Sequence, residues 1–155
     1  MNLRRLFLGA LAAGLLAVPA AEGGTTVART AGAVGVSLKY GHGWAKISGR
    51  GSLLGWGIRG RIVATTNVVV RNWSSRVRLT DTVTAYRGSL ITVRVYGTSG
   101  AWRIKVKGRR INVSGVVRGS LTLDGVDAGL TGRYSIAGGD FRPWPRAART
   151  FALSD

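Results

Sequence analysis

The chain has no cysteine at all. Disulfides and thiolate-held metals are therefore excluded, and stability must come from packing and hydrogen bonds. Histidine occurs once, as His42. One imidazole cannot build a multi-histidine metal site. Acid is scarce: 6 Asp and Glu stand against 23 Lys and Arg, a formal net charge of +17. Helical periodicity is also missing, since no stretch beyond the first residues keeps 3.6-residue spacing over three turns.

The start of the chain has its own pattern. Arg4 and Arg5 precede an apolar run from Leu6 to Val18, and Val18-Pro19-Ala20 offers small residues for cleavage. This is the layout of a secretory signal peptide, residues 1–20. The run is short of the ~20 residues that span a bilayer, so no transmembrane anchor is expected after cleavage. Without cysteine, a lipid on a processed N-terminal Cys is excluded as well. Arg4-Arg5-Leu6-Phe7-Leu8 also resembles a twin-arginine export signal, although the preceding Ser or Thr is missing. Residues 21–32 read as a flexible lead-in, and residues 33–155 as one domain. Cleavage would leave 21 basic residues against 6 acidic ones, a net charge of +15.

What is present is period-two alternation. Val34, Val36 and Leu38 alternate with Gly35, Ser37 and Lys39. Val93, Val95, Ile104 and Val106 alternate with Arg94, Tyr96, Arg103, Lys105 and Lys107. Val117, Leu121 and Leu123 continue the pattern. Alternation of this kind marks half-buried strands. Breaks are expected at GHG (41–43), YGTSG (96–100), LDG (123–125) and AGG (137–139). The expectation is an all-β domain of antiparallel strands, either a sandwich or a small barrel. WAKISGRGSLLGWGIRGRI (44–62) can be laid without gaps on RIKVKGRRINVSGVVRGSL (103–121). Lys46 then meets Lys105, Gly49 meets Gly108, Arg50 meets Arg109, Arg59 meets Arg118 and Gly60 meets Gly119. A strand–turn–strand unit used twice would give this match. Clustered glycines within it suit bulges and close backbone approach. A phosphate loop is a poor fit to GRGSLLGWG, which lacks the following Lys-Ser/Thr and a helix.

The runs GRGSLLGWGIRGRI, DTVTAYRGSLITVRV, RIKVKGRRINVSGVVRGSLTLDG and GRYSIAGG, with PWP and a final TFAL, resemble a family of small exported bacterial, chiefly actinobacterial, Gly/Arg-rich β proteins. The resemblance covers nearly all of the chain beyond the leader. It implies a β fold and export. None of its marks is a catalytic signature. An acidic residue expected after the first repeat is replaced here by IVATTNVVV (62–70).

Candidates for chemistry are few. His42 sits between glycines in what reads as a turn. Asp124 and Asp127 flank Gly125, a spacing that more simply stabilises a loop than holds calcium. Asp81 reads as a turn or strand-start residue. The remaining acids, Glu22, Asp140 and Asp155, offer no pattern. There is no G-x-S-x-G elbow. No catalytic residue, metal ligand or cofactor is assigned, and an enzyme is not expected. Asn72-Trp73-Ser74 and Asn112-Val113-Ser114 match a glycosylation pattern by chance.

Charge carries more information. If Val93–Tyr96 and Arg103–Lys107 are arms of one hairpin, Arg94 shares a face with Arg103, Lys105 and Lys107, and Arg109 and Arg110 extend the stripe into a turn. Arg59, Arg61, Arg76 and Arg78 alternate in the same way. Like charges across strands cost stability, so such a stripe implies either a screening partner or an exposed, salt-tolerant surface that only solvates the sheet and limits edge pairing. The expected partner is an acidic envelope polymer or an anionic lipid surface, reached by long-range attraction. The export signal argues against intracellular nucleic acid. Five tryptophans are present. Trp44 and Trp102 are expected to cap core ends. Trp144, in FRPWPR, packs over an open end or offers a ring to a sugar or partner. A carbohydrate-binding or self-assembling envelope module is the alternative that exposed aromatic clusters would favour.

Overall fold

A computed structural model describes residues 32–125 and 132–155. Residues 1–20, expected to be a signal peptide, most of the expected lead-in, and Asp127 lie outside the described residues. Eight strands follow in order: β1 (Val34–Thr65), β2 (Val69–Arg71), β3 (Ser75–Arg78), β4 (Val83–Val95), β5 (Trp102–Asp124), β6 (Arg133–Ile136), β7 (Arg142–Pro143) and β8 (Arg149–Leu153). All pair antiparallel in one sheet. The domain is all-β and sandwich-like, and the sheet does not close into a barrel. Of the two architectures expected, the barrel is therefore set aside.

Two strands dominate. β1 has 32 residues and β5 has 23. A straight strand of β1's length would run to about 100 Å, far beyond a domain of this size. The strands coil instead, and each pairs with the other twice. Val117 of β5 lies opposite Val34 on one edge and Gly51 on the other. Ile47 of β1 lies opposite Ile104 on one edge and Leu121 on the other. Along its first half β5 is thus clasped between two parts of β1. The sheet wraps over itself and encloses one core, which includes Leu38, Ile47, Ile62, Ile104, Leu121 and Leu153.

The pairing is two-fold in character. Lys46 lies opposite Lys105, the residue 59 positions later. Adding that offset to Ile62 and removing it from Val106 turns the pair Ile62–Val106 into Leu121–Ile47, which is also formed. The sequence match at the same offset therefore coincides with a real equivalence in the sheet. It extends to the next strands: β4 covers the end of β1 as β8 covers the end of β5. Likewise β6 lies on the start of β1 as β2 lies on the end of β4.

The glycines make the wrap possible. Gly60 lies opposite Gly108, and the equivalent Gly119 lies opposite Gly49. Gly60 has φ +147°, and a Cβ there would overlap the Lys107 carbonyl and reach 2.8 Å from Gly108 Cα. No side chain fits, because the strands cross backbone to backbone.

Several local expectations change. The GHG segment is not a break: β1 runs through it with a bulge between Leu38 and Gly43. His42 is thus a strand residue and not a turn residue. The other described breaks fall where expected, at 96–100 and 137–139, and β5 ends at Asp124. Near the bulge, buried Asn112 ties three segments together. Its Oδ1 accepts from the Tyr40 N–H at 2.9 Å, and its Nδ2 donates to Arg110 O at 3.0 Å and Trp56 O at 3.3 Å. Trp102 is 3% exposed and donates Nε1–H to Gly51 O at 3.1 Å. Trp44 instead lies on the outer face. Trp44 stands two residues before Lys46 and Trp102 three before Lys105, and a one-residue shift moves a side chain to the other face.

Candidate polyanion-binding face

Strand parity builds this face. Ile104 and Val106 point into the core, so Arg103, Lys105 and Lys107 point out. On β1, Ile62 and Ala64 are buried and Arg61 is exposed. On β4, Thr84 is buried and Arg87 is exposed. The register then sets the outward residues side by side. Lys107 lies opposite Arg61, and Arg61 lies opposite Arg87. Three cations occupy neighbouring strands in one row, spaced at about 4.8 Å between backbones. On the far side of Lys107 come Trp44 and then Asp124. Lys105 lies opposite Lys46, and Arg59 lies opposite Arg109. Lys105 Nζ stands 5.4 Å from the Trp44 ring centroid, within cation–π range.

Among the described residues no carboxylate comes within ion-pair distance of Arg61, Arg87 or Lys107. The Arg78–Asp81 pair, at 3.8 Å, joins the end of β3 to the turn after it, with both side chains exposed. Directly opposed like charges each cost roughly 0.2–1 kcal/mol. The row therefore opposes folding to a small extent and presents a concentrated positive potential to solvent.

The expected stripe is only partly assembled. Arg103, Lys105 and Lys107 share the outer face of β5, and Arg109 continues it opposite Arg59. Arg94 does not join them. Val93–Tyr96 and Arg103–Lys107 are not hairpin partners: β4 pairs with β1 on one edge and with β2 and β3 on the other. Arg94 lies opposite Leu54 and Val69, with β1 between it and β5. Arg109 and Arg110 are not in a turn either, because β5 continues to Asp124. Arg110 is exposed with φ +54°, and it turns toward Tyr40 and His42. Lys46, Arg61 and Arg87 belong to the face, and only the register could reveal that. Arg87, in AYRGS, carries no local signal.

Trp144 is 6% exposed. Its ring packs against Gly41 and Gly132 and closes the end of the core. In this position it offers no open face to a sugar, and the packing expectation for FRPWPR holds. Among the described residues the exposed aromatic rings are Tyr40, Trp56, Trp73, Tyr96 and Phe141. Phe141 is capped by Lys39, with Nζ 4.2 Å from the ring centroid.

No family model, curated protein or solved structure matches the chain. The function must be argued from the face itself. Among the described residues, no three His, Cys, Asp or Glu side chains group as metal ligands. Asp124 lies at the end of β5 beside Trp44, and Asp140 lies after β6 beside Arg142 in a separate hollow.

Proposed function

We propose that this is an exported, non-catalytic β protein that binds acidic envelope polymer or an anionic lipid surface through the outer face of β1, β4 and β5. The observation that carries the reading is the row Lys107–Arg61–Arg87, which lacks carboxylate partners among the described residues. A fold has no need of three cations in adjacent strand positions, and their mutual repulsion favours a bound polyanion. The rest of the face, Lys46, Lys105, Arg59, Arg103 and Arg109, broadens the same field. The net charge, +17 for the full chain and +15 after the expected cleavage, supplies attraction at longer range.

The test is the partition of the protein between cell envelope and medium as salt rises. Counterion release makes polyanion binding fall steeply between about 50 and 200 mM salt, by roughly a hundredfold for four contacts. Arg61→Glu, Arg87→Glu and Lys107→Glu together should leave the protein in the medium even at low salt. A wild-type protein found free at every salt concentration would end this reading.

A further inference from the structure

Beside the cationic row the outer surface changes character. On β1, Leu54 and Trp56 precede Arg59 and Arg61, and they are 38% and 44% exposed. Leu90 of β4 and Tyr40 of β1 are each 60% exposed. Tyr40, Trp56 and Leu90 line one open hollow, and Lys39 and Arg110 line it with them. The arrangement is held firmly from beneath, since Asn112 binds the backbone at Tyr40, Trp56 and Arg110. His42, Arg109 and Arg110 line the neighbouring hollow on the Tyr40 side.

Resting on the reading above, we infer that the ligand is an anionic bilayer surface, into which Trp56, Leu90 and Tyr40 insert while Lys39, Arg109 and Arg110 meet the headgroups. Charge selects the occupant. A second copy of the chain would bring cations against cations. A soluble acidic polymer would neutralise the cations but would leave the Trp56 and Leu90 side chains in water. A bilayer interface satisfies both, because it takes tryptophan and tyrosine at headgroup level and attracts basic residues. Membrane-surface binding of this kind scales with buried apolar area plus attraction to anionic lipid.

The test uses sedimentation with vesicles of phosphatidylglycerol and phosphatidylcholine, and, as a charge-only probe, duplex DNA. Wild type should bind the vesicles, and a fraction should remain bound at about 500 mM salt, where a purely electrostatic contact is largely screened. Bromine-labelled lipid chains should quench tryptophan fluorescence, and Trp56→Phe should remove most of that quenching. Trp56→Ser and Leu90→Ser should each weaken vesicle binding roughly tenfold and abolish the salt-resistant fraction, with DNA binding unchanged. Leu90 is the more exposed of the two, and a melting curve identical to wild type qualifies it as the decisive variant. Vesicle binding equal to wild type in Leu90→Ser, with no quenching in the wild type, would overturn the inference while leaving the polyanion reading intact. Failure to bind either vesicles or DNA would overturn both.

Discussion

The two halves of the sheet share a backbone and differ in what they carry on the outside. Where one half has Arg61 opposite Lys107, the two-fold equivalent positions hold Ser120 opposite Ser48. Those hydroxyls hydrogen-bond at 3.0 Å. Arg87 in one half corresponds to Ala152 in the other, and Val63 and Ala85 correspond to Thr122 and Thr150. The threonine hydroxyls also meet, at 2.9 Å. At these positions the β5–β8 half satisfies its outer surface internally and carries no charge, although Arg50 lies opposite Arg118 there just as Arg59 lies opposite Arg109. The β1–β4 half places cations at the same backbone positions and leaves them facing solvent. The comparison teaches that the fold accepts small neutral residues at these sites. The cations need a reason outside folding.

The largest effect should appear where the halves are alike. Gly60→Ala and Gly119→Ala each force a side chain into a backbone crossing at positive φ. Strain and overpacking together should cost about 3–4 kcal/mol in each case, measured by urea unfolding. Markedly unequal losses would break the equivalence of the halves. A smaller effect should come from making the neutral half cationic. Ser48→Lys with Ser120→Arg removes a hydrogen bond and opposes two charges, costing about 1.5 kcal/mol. The same variant should raise affinity for duplex DNA and steepen its salt dependence by about two.

Much of this was legible in the sequence. Alternation over 34–38, 103–107 and 117–123 marks real strands because one face of each is buried. The offset between Lys46 and Lys105 marks a real equivalence because glycines recur where the backbones cross. Most of the failures share one cause, which is pairing at long range. A turn at 96–101 joins β4 to β5, and local reasoning makes such neighbours a hairpin. They do not pair because both edges of each strand are already taken, those of early β5 by two parts of β1. Local reasoning therefore groups Arg94 with the wrong strand and gives no sign of Arg87. His42 reads as a turn residue for a local reason: flanking glycines signal turns and bulges alike. The burial of Trp144 depends on contacts with Gly41 and Gly132, far from it in the chain, so no spacing rule around FRPWPR could decide it.

The most direct test of the central claim compares wild type with Lys107→Ser/Arg61→Ser, which copies the neutral half onto the charged one. The measurement is the slope of duplex-DNA affinity against salt, taken together with unfolding stability. The account predicts a slope smaller by about two and a stability unchanged or raised by up to ~1 kcal/mol. An unchanged slope, or a clear loss of stability, would show that these cations serve the fold and not a partner.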